Sequence, residues 1–257
     1  INYPTEASSN FEMMSMIKNE LDRSAKVGND FILEVGRSRF RKALRKDYIR
    51  QLLDLASKTN TIALSLNAIM ETSTSHIFGI HIHMGLRGFY QETISVQEFM
   101  PIAKEEGFIT SFDEMVLQNV GRFLNNYGDT TLKTSGIRAY VINVSVSTVL
   151  SDSFLPFMKG FMPQHRFPKN SFFLALSCDE IAGHEDALRP VIAMLHPLGV
   201  RFLARSYHPE QTISASLKNL GFEAVAISRD TLQNAILSQS STSSFIRMVT
   251  EFEESGI

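Results

Sequence analysis

The stretch Ala139-Tyr-Val-Ile-Asn-Val-Ser145 opens an alternation of short apolar runs and amphipathic segments that continues to residue 254. Its β-branched and aromatic residues are typical of a buried strand, and the apolar spacing of residues 154–161 predicts a helix after it. The same order recurs in three further pairs, with strands predicted at 171–176, 200–204 and 224–227 and helices at 187–195, 212–220 and 244–254. Repeated strand–helix units are typical of a parallel sheet covered by helices, so the predicted fold class is α/β.

The segment before residue 139 has a different pattern. Two β-rich runs flank a polar stretch at 71–75 and predict a hairpin, and two amphipathic segments follow a predicted loop at 85–95. Ser111, with Glu114 three residues later, predicts the N-cap of the second helix. Near the C-terminus, the Ser- and Thr-rich residues 238–244 predict a polar loop. The two strands are expected at 61–69 and 77–84, and the two helices at 96–106 and 111–127.

The composition limits the classes of function open to this chain. Of its 257 residues 44% are hydrophobic, which is enough for a sizeable core, and the formal net charge of -2 argues against a general nucleic-acid or membrane binder. No apolar run approaches the ~18–20 residues that span a bilayer, so we expect no membrane contact by this segment and a cytoplasmic location. A membrane anchor upstream in a longer protein stays open. The single cysteine, Cys178, excludes an internal disulfide framework and a cysteine-rich zinc module.

A basic cluster lies between Arg37 and Arg50. Such a cluster can contact nucleic acid, an acidic protein or anionic lipid. Within it, however, Leu44, Tyr48 and Leu52 share one stripe of a helix, so we interpret the basic residues as its solvated faces. We therefore expect no nucleic-acid partner.

One motif resembles a known family. Residues 97–109, Gln-Glu-Phe-Met-Pro-Ile-Ala-Lys-Glu-Glu-Gly-Phe-Ile, are similar to the E-F-I-P-x-A-E-x-x-G-x-I helix of EAL domains, bacterial phosphodiesterases that cleave cyclic-di-GMP. Residues 66–69 lie where the family has Y-Q-P-I, residues 141–145 resemble its V-N-L-S strand, and residues 198–202 resemble its L-G-x-x-x strand entry. The resemblance implies an EAL-type (β/α)8 TIM-like barrel.

The resemblance also implies a domain organisation. It runs over 42–257 and makes this part a degenerate EAL domain, with residues 1–41 as an N-terminal extension or linker. Residues 14–28 are similar to the tail of a GGDEF domain, although an ordinary linker helix explains them equally well. By motif order the chain reaches the helix after the sixth barrel strand, so we expect a barrel that is incomplete at its C-terminus. An unpaired sheet edge is itself a surface that can pair with another chain.

The family's reaction uses divalent metal ions, held by carboxylates at strand ends, to activate water. The resemblance places the family's signature Glu at His81 and the two carboxylates of a later motif at Ala175 and Cys178. It places the two aspartates of the next motif at Arg205 and Ser206, and the catalytic Lys at Ala226. Asn67 and Asn143 lie beside these positions in the matched motifs. Together these eight residues would form a vestigial substrate pocket. The resemblance therefore implies no catalytic residue, no metal site and no cofactor.

The same residues allow other interpretations. His81, His83 and His208 could hold zinc if the fold brought them together, but we interpret them as polar side chains of an inherited cavity. Cys178 could be a reactive thiol, yet a buried, inert cysteine fits its surroundings better. Arg87 and Arg205 are the residues expected to contact an anionic ligand, if one binds.

We therefore expect a catalytically inactive EAL-like domain that acts as a protein-interaction or regulatory module in bacterial cyclic-di-GMP signalling. The expected partner is a regulatory protein or a second copy of the chain. The alternative is a receptor that binds cyclic-di-GMP, or another anionic nucleotide, without hydrolysis. Asn67 and Asn143 favour this alternative, whereas the loss of the family's residues at Gly85, Ala175, Arg205 and Ser206 disfavours it.

Overall fold

The computed structural model of the chain describes residues 37–60, 62–89, 91–127, 136–165, 167–209 and 214–257, with a few positions between 11 and 22. The chain divides into two compact units, Ile1–Leu55 and Ala56–Ile257. Most of the segment 14–28, which resembles a GGDEF tail, lies outside the described residues, and the domain boundary at residues 41 and 42 stays a prediction.

The basic cluster lies on helix α1, Arg37–Thr59, which runs across the boundary between the two units. Local contacts engage part of its charge, since Arg50 Nη1 donates to Asp47 Oδ1 at 3.0 Å. The Arg45 guanidinium lies 5.3 Å from the centre of the Tyr48 ring, within the range of a cation–π contact. The predicted apolar stripe is only partly buried, because Leu52 is 2% exposed and Leu44 is 50% exposed.

The larger unit begins with the predicted hairpin. Strands β1, Ala63–Met70, and β2, Ile77–Arg87, pair antiparallel, and the turn between them closes where Glu71 N–H donates to the carbonyl of His76 at 2.9 Å. The predicted loop at 85–95 is partly wrong. Strand β2 continues to Arg87, and a short strand β3, Thr93–Ile94, folds back and pairs with it.

Four further strands complete the sheet, and each runs parallel to the strand beside it on the path that starts at β1, as the strand–helix pattern predicted. They join the path β1-β2-β4-β5-β6-β7, with β3 beside it. Within the described residues this path has six principal strands, and β1 and β7 are its two ends. The α/β fold class is confirmed. The strands are β4, Ala139–Asn143; β5, Phe172–Ser177; β6, Val200–Tyr207; and β7, Ala224–Ile227.

The helices of this unit bury apolar side chains against one face of the sheet. Ile142, Leu174 and Phe202 project from the strands into a cluster that also contains side chains of the helices, such as Leu117 and Phe154. Each fully buried side chain of this size contributes about 1.5–3 kcal/mol. The helices are α2, Val96–Glu105; α3, Ile109–Tyr127; α4, Val146–Val149; α5, Phe154–Gln164; α6, Cys178–Ile181; α7, Glu185–Leu195; α8, Ser214–Leu220; α9, Arg229–Leu237; and α10, Gln239–Ser255.

Helix α3 begins earlier than the capping pattern predicted. Its first residue is Ile109, so Ser111 lies inside the first turn and is not the N-cap. The earlier start places Ile109 and Phe112 on the buried face at helical spacing, and burial of this face outweighs the local capping signal. Gly107, with φ +73, ends the preceding helix and allows this short connection.

The predicted polar loop at 238–244 is also wrong. Ser238 is the N-cap of α10, and its hydroxyl accepts from the Ser241 N–H at 3.5 Å. Within the helix, Thr242 Oγ1 donates to the carbonyl of Ser238 at 2.9 Å, so a Ser/Thr-rich segment satisfies its hydroxyls without leaving the helix. In the part of the chain described here, none of these helices is long and apolar enough to cross a bilayer.

Candidate functional site

Polar side chains from neighbouring strands share the sheet face opposite the apolar cluster. In the strand registers, His81 lies opposite Asn67, Asn143 opposite Ala175, and Arg205 opposite Ala226. Directly opposed residues, and residues two apart on one strand, project to the same side of a sheet. We call eight residues on this side the polar face: Asn67, His81, His83, Asn143, Ala175, Ser177, Arg205 and Ala226. Val141, Phe173 and Leu203 lie on the same side and form a second, smaller apolar cluster around Ala175. Six of the eight predicted pocket residues therefore lie on one face.

The other two predicted pocket residues lie elsewhere. Cys178 is the first residue of α6 and is fully buried in the apolar cluster. Burial, with a smaller effect of the Asp179 carboxylate, raises the pKa of the Cys178 thiol to about 11, so it is protonated and unreactive near neutral pH. Ser206 has φ +61 and lies where the pairing of β6 with β7 shifts register, between Arg205 and Tyr207.

Two histidine rings are in contact on the polar face. The ring centres of His81 and His83 are 4.0 Å apart, and His81 Nε2 lies 3.0 Å from Asn143 Oδ1. Burial lowers the pKa of both imidazoles, and the Arg205 charge lowers both further. Both rings are therefore held neutral at physiological pH, with the proton of His81 on Nε2 if it donates to the Asn143 amide oxygen.

Arg205 brings a positive charge to the same face. Its Nε is buried and, among the described residues, has no hydrogen-bond partner. Its register neighbours Ser177 and Ala226 carry no charge. The Arg205 charge nevertheless contributes to lowering the pKa of both histidines and of Glu180.

The three histidines considered as alternative zinc ligands, His81, His83 and His208, do not converge. His208 Nδ1 lies 3.0 Å from the hydroxyl of Ser228, at the start of α9, instead of joining the histidine pair. Within the described ranges, no three side chains of His, Cys, Asp or Glu are placed to hold a metal ion. Arg87, the other predicted anion contact, lies at the end of β2 with its Nη1 3.4 Å from Gln91 Oε1.

Two carboxylates that the sequence did not place in the site, Asp113 on α3 and Glu180 on α6, accept hydrogen bonds from backbone N–H groups at the start of α4. Asp113 Oδ2 accepts from the Ser145 N–H at 2.9 Å and from Thr148 Oγ1 at 2.6 Å. Burial raises the pKa of Asp113 to about 6, although these two bonds oppose the shift. The helical spacing of Asp113 from the apolar Leu117 was a usable signal, since it puts the carboxylate on the buried face of α3.

Glu180 is the second of these carboxylates. Its Oε2 accepts from the Val146 N–H at 3.1 Å, and its Oε1 accepts from Lys104 Nζ at 2.9 Å. Burial opposes ionisation, but the bonds from Lys104 and Val146 prevail and lower the pKa of Glu180. An open cavity of about 560 Å³ lies beside this ion pair, with Thr110 and His184 also on its wall.

The arrangement is suited to binding, because neutral imidazoles, amides and one guanidinium are donors for an oxygen-rich ligand. Among the described residues, the polar face has no carboxylate that could hold a divalent cation. Hard cations require oxygen ligands, and the carboxylates nearby are engaged by backbone N–H groups and Lys104.

Comparison with known proteins identifies the fold. A family model described as EAL domain matches residues 41–255. The FimX EAL domain from Pseudomonas aeruginosa bound to c-di-GMP is similar with a TM-score of 0.70 and 16% identity, over 80% of this chain and 81% of that chain. The FimX EAL domain of Xanthomonas citri in complex with c-di-GMP has a TM-score of 0.72 and 12% identity, over 84% and 83%.

A longer protein is similar over a larger part of this chain. The S helix-GGDEF-EAL structure of Vibrio cholerae LapD, in its apo form, has a TM-score of 0.70 and 12% identity, and the match covers 97% of this chain but 58% of that chain. A search of curated protein sequences gave no match. Identities this low establish the fold alone, whereas the family model covers most of the sequence. The chain belongs to the EAL domain family.

Proposed function

We propose that this EAL domain does not hydrolyse cyclic-di-GMP and acts as a protein-interaction and regulatory module in cyclic-di-GMP signalling. The observation that carries the proposal is the identity of the residues on the polar face. His81, Ala175 and Arg205 occupy strand positions where the motif resemblance places acidic residues of the family, and Ala226 occupies the position of its lysine.

The charge of Arg205 explains why these residues oppose metal-dependent hydrolysis. At ~4 Å and an effective dielectric of about 20, two like unit charges repel by about 4 kcal/mol, and a divalent cation beside Arg205 doubles that figure. The register neighbours of Arg205 are a serine and an alanine, so no carboxylate on the adjacent strands offsets the repulsion. A metal-activated water is therefore strongly disfavoured at this face.

Exposed apolar surface supports an interaction role. Leu66, Met70 and Ile77 are exposed on the β1–β2 hairpin, and β1 is an end of the strand path in the described residues. An exposed apolar strand at a sheet edge is a favourable surface for another protein chain. At the end of α9, Ile236 and Leu237 are 84% and 82% exposed and form a second apolar surface.

A hydrolysis assay tests the proposal. The full chain is incubated with cyclic-di-GMP and Mg²⁺ or Mn²⁺, beside an active EAL phosphodiesterase, and the linear dinucleotide is quantified by chromatography. We expect product formation no faster than the protein-free background. Metal-dependent hydrolysis above that background, removed by a chelator, would overturn the proposal.

A further inference from the structure

We propose that Ser228 and His208 form a metal-free serine–histidine pair that accepts the acyl group of a carboxylic ester on the Ser228 hydroxyl. The inference goes beyond the proposed function, because this reaction involves neither cyclic-di-GMP nor a divalent metal ion. The substrate class is an ester with a small acyl group, and the products after attack by water are a carboxylic acid and an alcohol.

The distance between the two side chains suits proton transfer. Ser228 Oγ lies 3.0 Å from His208 Nδ1, within the reach at which an imidazole takes the proton of a hydroxyl nucleophile. Thr231 Oγ1 offers a second route, since it accepts from Ser228 Oγ at 2.8 Å and lies 3.4 Å from the same ring nitrogen. The role of base requires the neutral imidazole to carry its own proton on Nε2.

The fold places the pair at the carboxyl edge of the parallel strands. Ser228 directly follows β7 and is the N-cap of α9, so it lies on a strand-to-helix turn. His208 directly follows β6, the parallel neighbour of β7. The reacting groups of α/β enzymes lie at this edge, and a serine on a strand-to-helix turn is a recurrent nucleophile there.

The first turn of α9 supplies hydrogen-bond donors beside the hydroxyl. Attack on the ester carbonyl creates an oxyanion, which donors fixed next to the nucleophile stabilise. The Thr231 N–H donates to Ser228 Oγ at 3.1 Å, and the Leu232 N–H donates to the Ser228 carbonyl at 3.2 Å. The N–H groups of Arg229 and Asp230 have no acceptor inside the helix because of their position, so they are the donors assigned to the oxyanion.

Burial limits the size of the acyl group. Ser228 is 9% exposed and His208 is half-buried, so the pair lies just beneath the surface. A short, flat acyl group brings its carbonyl carbon to such a hydroxyl, whereas a branched acyl group collides with the surrounding side chains. We therefore expect acetyl esters to react faster than pivaloyl esters.

The reaction needs no reactant besides the ester and water. Ser228 Oγ bonds to the acyl carbon while His208 takes the hydroxyl proton, and cleavage of the carbon–oxygen bond then releases the alcohol, which receives that proton. A water molecule next attacks the acyl-serine and gives a proton to His208. Release of the carboxylic acid returns this proton to Ser228 and restores both side chains.

The experiment uses the full chain in a chelator with two probes. A fluorophosphonate reports a reactive serine, because the hydroxyl oxygen displaces fluoride and stays phosphonylated, and peptide mass spectrometry locates the adduct. With p-nitrophenyl acetate we expect a burst of about one equivalent of p-nitrophenol per chain. The adduct should form on Ser228 at least about 100-fold faster than on the heat-unfolded chain.

Three variants separate the nucleophile, the base and the helix cap. Ser228→Asn removes the hydroxyl but keeps a residue that caps a helix as well as serine does, so it should abolish the adduct without removing the cap. His208→Gln should slow adduct formation about 100-fold or more. Ser238→Asn is the matched control, because Ser238 is the exposed N-cap of α10 and its hydroxyl also accepts from a helix N–H, and it should leave the rate unchanged.

The location and the histidine dependence of the adduct decide the inference. Circular dichroism and thermal unfolding verify first that each variant is folded. An adduct on Ser228 that is lost in Ser228→Asn and slowed in His208→Gln supports the pair. Absence of an adduct on the folded chain, an adduct on Ser238 or on many serines, or a His208→Gln variant that reacts like the wild type overturns it. Hydrolysis of cyclic-di-GMP tests the proposed function separately.

Discussion

Asp113 is a carboxylic acid buried inside the helical layer, 2% exposed. Its bonds to the Ser145 N–H and the Thr148 hydroxyl connect α3 to the start of α4, directly after the strand that carries Asn143. Burial nevertheless raises its pKa to about 6. A single residue thus positions the strand end beside the polar face and makes the connection sensitive to pH.

The stability of this connection can be measured through Asp113→Asn. The folded pKa of about 6 lies above the unfolded value of 3.8, so the contribution of Asp113 to stability is complete below pH 3.8 and is lost as the pH rises through 6. Relative to the asparagine variant, the wild type should lose roughly 2–3 kcal/mol of unfolding free energy between about pH 3.5 and 7. Urea denaturation at several pH values measures this difference.

The control for this prediction is Asp152→Asn, which changes an exposed carboxylate on the same protein. Its stability difference from wild type should stay within about 0.5 kcal/mol across the pH range. A pH-independent difference for Asp113→Asn would contradict the assigned shift.

Close approach of two strands sets the geometry of β2 and β4. Gly79 lies opposite Ala139, and a Cβ at position 79 would be 2.7 Å from the Ala139 carbonyl oxygen and 2.9 Å from its Cβ. A side chain of any size therefore separates the two strands that carry His81 and Asn143. The glycine is required by sheet packing, since its backbone does not adopt a positive φ.

Two glycine-to-alanine substitutions should have opposite effects. Gly79→Ala should destabilise the fold by about 1–3 kcal/mol, because the strands must move apart. Gly160→Ala, in the exposed interior of α5 with open space around it, should stabilise by up to about 1 kcal/mol. Chemical denaturation of the pair checks the signs, and a stabilised Gly79→Ala would show that the strands are less closely packed.

The sequence predicted the elements whose pattern is internal to one segment. The motif resemblance placed His81, Asn143 and Ala175 in one pocket, and the strand registers put all three on one face of the sheet. The sequence did not predict the engagement of Asp113 with Ser145, because that contact joins residues 32 apart on different elements. Likewise, the local composition around Ser238 is that of a polar loop, whereas the contacts between α9 and α10 favour a helix that begins after Ser238. The sequence alone therefore could not distinguish a helix cap from a loop serine.

At the scale of the whole molecule, exposed apolar side chains predict association. Ile236 and Leu237 protrude at the end of α9, and a second copy is always available to cover them in a pure sample. In analytical ultracentrifugation, the weight-average mass of the wild type should rise with protein concentration, and replacing both residues with serine should reduce this rise. Because both side chains are exposed, the unfolding free energy should change by less than about 0.5 kcal/mol.

The matched control for this association is Met194→Ser on α7, an exposed apolar residue outside that surface. It should leave the sedimentation profile unchanged. If wild type, the double variant and the control sediment alike at all concentrations, the α9 surface does not mediate self-association.

The order of the strands has a consequence for how the protein is made. Each principal strand pairs with the principal strand that precedes it in the chain. Since ribosomes release a chain from its N-terminus at about 5–20 residues per second, every emerging strand meets a template edge that is already complete. The β1–β2 hairpin is the most local of these pairings, and each crossover helix is synthesised before the strand that follows it. Within the described residues, each strand on the path after β1 can therefore pair with a strand that has already been synthesised.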